Sequence, residues 1–325
     1  FGRSDTSPRV SLATTPRLLS MATEGSLKAI IAALLANLGI AITKFVAYIF
    51  SGSASMLAES VHSLADSGNQ LLLIVGGRRA RRTASADHPF GYGRSRYVYA
   101  FIVSVVLFTV GGLFSIYEGI NKLNNPHELT NAWLPITVLL VAIVLEGFSL
   151  RTAVIESNKV RGNQSWVNFV RKAKAPELPV VLLEDLAALL GLFLALLGVG
   201  LSVITGNEVF DAYGTLAIGA LLVVVAIILG LEMASLLIGE GATPKEVKQM
   251  RKALTDTEGV DSVIHLKTLY LGPDDMMLGA KIAISKASTG IEIAEIIDAA
   301  EVNVRAVVPH AKTIYLEPDI MRVKS

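Results

Sequence analysis

The chain has 325 residues, 52% of them apolar and 18% charged, with a mean hydropathy of +0.55. Globular domains in water carry about 25% charged residues, so this composition places most of the chain in a lipid bilayer. A formal net charge of +1 offers nothing for a nucleic-acid partner, and the absence of cysteine removes disulfides, thiolate metal sites and cysteine nucleophiles, so any bound metal must be held by His, Asp or Glu.

Residues 1–22 are rich in Ser, Thr and Arg and read as a disordered, targeting or cloning-derived tail, with Met21 as an alternative start. Apolar runs of about 20 residues, the length of a bilayer span, then follow at 27–50, 54–77, 97–120, 132–154, 179–204 and 212–238. Six spans put both termini on one side. Arg78, Arg79, Arg81, Arg82, Arg94 and Arg96 follow the second run, and Arg151, Lys159, Arg161, Arg171, Lys172 and Lys174 follow the fourth, whereas the opposite loops offer only Lys122. Basic loops stay on the side of synthesis, so the termini are expected on the cytoplasmic or matrix side.

The expected division is a transmembrane domain over 23–239 and a soluble domain over 240–325. In the latter, Thr243-Pro-Lys-Glu has the form of a capping box with Pro in the first turn, which opens a helix. Extended stretches at 260–271 and 276–285 flank the turn signal Gly272-Pro-Asp-Asp, a second helix is expected over about 290–306, and a last strand over 312–316. The order helix, strand, strand, helix, strand suits an α+β layer with helices on one face of a sheet.

Ionisable groups inside hydrocarbon cost at least about 2.5–3.5 kcal/mol each, so those in the spans need a purpose. In the second span His62 and Asp66 are four residues apart on one helix face, their Cβ atoms about 6 Å apart. They can bind one ion together or hydrogen-bond to each other. Glu59 lies three residues before His62 and Asn69 three after Asp66, extending a polar stripe that can line a water-filled proton or ion path. A divalent ion needs ligands from a second helix, and the fifth span supplies Glu184 and Asp185. Adjacent helical residues point about 100° apart, so only one of these faces the His62/Asp66 surface squarely. Glu146, alone in the fourth span, can carry protons or hydrogen-bond a neighbour.

Other polar residues have plainer roles: Lys44 is expected to snorkel from the outer end of the first span, Asp211 to cap the start of the sixth helix, and Gly191 with Ala195 to let two helices approach closely. Asn37 faces the bundle or a water. No G-x-x-x-x-G-K-[ST] and no G-x-S-x-G occurs, and His127-Glu128-Leu-Thr-Asn131 lacks the second His of a metalloprotease helix, so no enzymatic reading survives.

Three strings carry a family resemblance: Gly52-Ser-Ala-Ser-Met-Leu-Ala-Glu-Ser-Val-His-Ser-Leu-Ala-Asp66, Asp87-His-Pro-Phe-Gly-Tyr-Gly93 and Leu182-Leu-Glu-Asp-Leu-Ala-Ala-Leu-Leu-Gly191. Over about 22–320 the chain resembles the cation diffusion facilitator family of divalent-metal/proton antiporters, in the branch that includes a mitochondrial zinc exporter. The resemblance implies a multipass α-helical membrane protein: a six-helix bundle, a cytoplasmic ferredoxin-like domain, and a homodimer that binds metal between its second and fifth helices. Carried over by position, His62, Asp66 and Asp185 are metal ligands. Val181 stands where the family's H-x-x-x-D has its His, which implies a three-ligand site or one completed by Glu184 or water. In the loop after the second span Tyr92 stands where some relatives have a second His, and the soluble domain, with only His265 and His310, is expected to dimerise by packing without metal.

The implied activity is efflux of a divalent cation in exchange for protons by alternating access, since metal and proton compete for one imidazole and its carboxylates. Zinc suits His and Asp ligands, and a site made with Glu184 also admits manganese or iron. The metal is cargo and no cofactor is required. The expected location is a bacterial inner membrane or an organellar, mitochondrial, membrane.

Overall fold

The computed structural model of the chain describes residues 37–126, 131, 133–284 and 289–320. The tail 1–22, the first part of the first predicted span at 27–36, the His127-Glu128 string and Ser285 lie outside the described residues.

The chain runs through helices α1 (Asn37–Ser51), α2 (Ala54–Ala80), α3 (Ser95–Asn124), α4 (Trp133–Arg161), the short α5 (Trp166–Lys172), α6 (Glu177–Thr205) and α7 (Val209–Ile238). Among the described residues, α3, α4, α6 and α7 are the four long and apolar enough to cross a membrane. At 29 residues, α4 and α6 are each about 44 Å long, more than the hydrocarbon core requires. α2 has the length, 27 residues, but not the apolar content, because its Ser55, Glu59, His62, Ser63 and Asn69 are buried against the other helices. Its lipid-facing side keeps Leu64 and Leu71 exposed. That inward polar stripe is the arrangement a bilayer demands of ionisable side chains.

The bundle core is built on Tyr97, Leu107, Leu192, Ile218, Leu222 and Leu229, contributed mainly by α3, α6 and α7. α6 and α7 touch backbone to backbone: a Cβ on Gly198 would stand 2.9 Å from the Phe210 carbonyl oxygen and 3.2 Å from the Gly214 Cα. With no hydrophobic drive between helices in lipid, such small-residue contacts supply the packing. α3 contains a π-helical stretch, Leu107–Leu113, which nothing in the periodicity signalled. Wide turns of this kind are rare and cluster at functional sites.

Two expectations are corrected. Lys44 does not snorkel: its side chain is fully buried, donating to Glu59 Oε2 at 2.9 Å and Ser63 Oγ at 2.8 Å. It faces α2, where a carboxylate partners the ammonium without the chain stretching to the interface. Asp211 caps a helix, but not its own. It lies within α7, and its carboxylate accepts from Ser53 Oγ (2.9 Å), the Ala54 amide (2.8 Å) and the Ser55 amide (3.3 Å) at the start of α2. The packing of α7 on α2 brings it to a better-exposed set of free amides than those of its own first turn.

The C-terminal part follows the predicted order: α8 (Pro244–Thr255), β1 (Val260–Gly272), β2 (Asp275–Ile284), α9 (Gly290–Val307) and β3 (Ala311–Asp319). The Thr243 capping box with Glu246 is present. β1 and β2 form an antiparallel hairpin across the Pro273-Asp274 turn, and β3 joins β2 in parallel after the α9 crossover. Met250, Leu254, Met276, Leu278, Ile282, Ala300 and Val304 form a second core under the two helices. This small α+β unit meets the helical part at the loop following α2: Gly93 lies so close to the β1–β2 turn that a Cβ there would meet the Leu271 carbonyl oxygen at 2.6 Å. Arg96 at the start of α3 bridges Glu177 of α6 and Asp274 of that turn, and Lys174 pairs with Glu240.

Candidate functional site

Asp66 of α2, Glu146 of α4, and Glu184 and Asp185 of α6 line one cavity of about 30 Å³, with Asn37, Ser63, Gln70, Ser149 and Val181. That volume holds one ion or a water or two. Four carboxyl side chains border this small space, so its lining is oxygen-rich. All seven residues singled out from the sequence lie in this part of the bundle, and four of them line the cavity.

Glu184 and Asp185 both reach it because it lies between α2 and α4, on two sides of α6. Glu184 accepts from Asn69 Nδ2 of α2 at 2.7 Å, and Asp185 accepts from Ser149 Oγ of α4 at 2.9 Å. The 100° between adjacent positions is thus used rather than wasted. Val181, one turn before Asp185, lines the cavity with an apolar side chain.

His62 is buried at the cavity's margin without lining it. Its Nε2 stands 3.5 Å from Asp66 Oδ2, too far for a firm hydrogen bond, and neither ring nitrogen has a hydrogen-bond partner. A methyl group on Gly111, in the π-helical stretch of α3, would stand 3.9 Å from Nδ1. Asp66 Oδ1, Asn69 Oδ1 and Glu59 Oε1 are likewise buried without partners. Unsatisfied buried polar atoms are scarce in folded proteins, and five of them lie along one face of α2. As the side chains stand, no three His, Asp or Glu among the described residues are gathered closely enough to hold a metal ion.

Glu59 is separated from this pocket by its own partner, the buried Lys44, so it enters the polar stripe as an ion pair. Gly191 makes room for it: a Cβ there would stand 2.7 Å from Glu59 Oε1. Sequence reading assigned Gly191 only to helix packing and overlooked Gln70, Ser63 and Ser149. Those three carried a signal, since Gln70 lies four residues after Asp66, Ser63 four after Glu59 and Ser149 three after Glu146, each on the same helical face. Outside the membrane part, the His88 ring stacks on Tyr92 at 4.4 Å, and the His310 ring stacks on Tyr270 with Nε2 3.1 Å from Glu246 Oε1.

The cation efflux transmembrane domain, as a family model, matches residues 30–238 of this chain. The mitochondrial proton-coupled zinc antiporter SLC30A9 of Mus musculus is 33% identical over 259 residues, 79% of this chain and 46% of the antiporter. The cation-efflux pump FieF of Escherichia coli O1:K1 is 27% identical over 230 residues, 71% of this chain and 72% of the pump. A solved structure of the MamM C-terminal domain aligns with 24% of this chain and 96% of its own, at 21% identity and a TM-score of 0.23. The chain spans less than half the length of the mouse antiporter.

Proposed function

Because the chain belongs to the cation efflux family, we propose that it exports a divalent metal cation, zinc first, in exchange for protons. The observation that carries this reading is the cavity into which α2, α4 and α6 together direct four carboxylates, with a partnerless imidazole beside it. An ion held there takes oxygens from Asp66 and Asp185 and a nitrogen from His62, with Glu184 as the ligand that Val181 does not provide. Binding draws these groups inward, because metal–oxygen and metal–nitrogen bonds are about 2.0–2.2 Å long, shorter than the present spacing.

Protons enter the same account. Each ligand that binds a cation must be deprotonated, so a proton and a metal ion exclude one another at His62 and the carboxylates. Glu146, which lines the cavity without a hydrogen-bond partner among the described residues, is placed to pass protons to it, and the Glu59–Lys44 pair with Asn69 continues the polar stripe along α2. Alternate opening of the two sides then couples the fluxes. The reading takes α1 and α2 with the four apolar helices as a six-helix bundle over 23–239, and 240–325 as a ferredoxin-like domain on the cytoplasmic or matrix side that pairs two copies. The mouse relative is named a proton-coupled zinc antiporter, and the same activity is proposed for this chain. A mitochondrial or bacterial inner membrane is the matching location.

The test is zinc flux into proteoliposomes with an internal pH probe, comparing wild type with His62→Ala and Asp185→Ala. Zinc-driven proton movement in wild type and its loss in both variants is the expected result. Undiminished zinc flux in His62→Ala removes the histidine from the site, and flux without proton movement replaces the antiporter with a channel.

A further inference from the structure

Where α2 leaves the bundle, a cleft of about 1420 Å³ opens between its last turn, the loop leading to α3, the start of α6 and the β1–β2 turn. Arg78, Arg81 and Arg82 line it, are exposed, and make no side-chain hydrogen bond or ion pair among the described residues. The other arginine in the cleft, Arg96, is spent on Glu177 and Asp274, and so braces the walls. Lys312 offsets Asp275. Three guanidinium groups are therefore unpaired, and the lining as a whole, four arginines and one lysine against three carboxylates, carries a formal net charge of +2.

The same cleft also has apolar walls. Leu73 and Ile74 line it from α2 and Leu178 from α6. Ile74 precedes Arg78 by one helical turn, so the apolar lining begins about 6 Å deeper along α2 than the basic one. That order, basic at the helix end and apolar further into the span, matches an amphiphile entering from the bilayer, with its phosphate at the arginines and its acyl chains along the leucines. Guanidinium forks match phosphate oxygens two at a time, and basic pockets at the ends of membrane helices bind anionic headgroups.

We propose that this cleft binds an anionic phospholipid, with Arg78, Arg81 and Arg82 as its phosphate ligands. The bound lipid would sit between the helical bundle and the soluble domain and tie their contact to membrane composition. A merely basic face, which membrane topology alone requires, needs no cleft and no apolar floor. The proposal does not depend on which ion the bundle carries.

The test is binding of fluorescent phosphatidylglycerol and fluorescent phosphatidylcholine to the detergent-solubilised full chain. Wild type is expected to bind phosphatidylglycerol in preference to phosphatidylcholine. At roughly fivefold per basic residue, Arg78→Gln/Arg81→Gln/Arg82→Gln should weaken that binding about a hundredfold. A control triple with the same charge change, Arg79→Gln/Arg151→Gln/Lys172→Gln, alters exposed residues outside the cleft and should retain most of the affinity. All six side chains are exposed, so both triples are expected to melt as wild type does. Equal loss in the two triples would overturn the assignment in favour of general attraction to a basic face. Equal binding of the two lipids would overturn it outright, and displacement by inorganic phosphate as effective as by the diacyl lipid would make it a free-phosphate site instead.

Discussion

Lys44→Met is the most informative single change in the bundle. The Lys44–Glu59 pair is 2.9 Å long with side chains 1% and 0% exposed, and Ser63 takes a second hydrogen bond from the ammonium at 2.8 Å. Removing the ammonium leaves the Glu59 carboxylate buried and uncompensated, with an Oε1 that already lacks a partner. Breaking a buried pair by removing one member costs about 3–5 kcal/mol, whereas replacing both members by apolar side chains of similar volume is close to neutral. Lys44→Met should therefore lower the unfolding free energy by about 3–5 kcal/mol, and Lys44→Met/Glu59→Met should recover all but about 1 kcal/mol of it. The assay is reversible unfolding in mixed micelles, with the two single variants and the double variant forming a cycle whose coupling term isolates the pair. A single variant as stable as wild type would refute the burial of the pair. A double variant as unstable as the single would show that lost packing, not an orphaned charge, sets the cost.

Three further outcomes follow from the structure. Asp211→Ala removes the acceptor for Ser53 Oγ and the Ala54 and Ser55 amides, leaving buried donors at the start of α2; it should cost about 3 kcal/mol in the same unfolding assay, with Asp211→Asn losing less because its amide oxygen still accepts. Gly191→Ala brings a Cβ to 2.7 Å from Glu59 Oε1 and should cost about 1–3 kcal/mol by thermal melting, so a wild-type melt would contradict the placement of that carboxylate. In the soluble domain, burial pushes the Glu246 carboxyl up, but hydrogen bonds from the Thr243 hydroxyl and amide, the charge of His310 and the Tyr270 hydroxyl together hold it below the ordinary glutamate value. The folded state thus binds this proton less readily than the unfolded one, so its stabilisation is complete above about pH 4.3 and fades as pH falls through the lower folded value. Acid titration of the melt should show that loss, and Glu246→Gln should remove this component; an unchanged acid profile in the variant would contradict it.

Much of this architecture was legible before any coordinates, and for a local reason. A run of about 20 apolar residues satisfies its own backbone as a helix, so described helices lie along the runs, the first over 37–51, and four of them, α3, α4, α6 and α7, are long and apolar enough to cross a membrane. The C-terminal α+β elements were equally clear, because a Thr243 capping box, a Gly272-Pro273 turn and alternating strands are short-range signals. The π-helical stretch of α3 was invisible: it records how Gly111 and Gly112 pack against α7, not a preference of Leu107–Leu113 itself.

The candidate site divides the same way. That His62, Asp66, Glu184 and Asp185 needed partners followed from their identity, since lipid leaves an ionisable group no alternative. Which partner each one has did not. Lys44 was read as reaching for the interface and in fact lies against Glu59; Asp211 was read as the cap of its own helix and serves α2. Helical spacing fixes which residues share a face, and hydropathy fixes which segments enter the bilayer, so both are properties of a few consecutive residues. The rotation of each helix about its axis, and therefore which faces meet, is decided only when α1, α2, α4, α6 and α7 pack together. Glu59 and Lys44 are fifteen positions apart, and Ser53 and Asp211 are 158 apart.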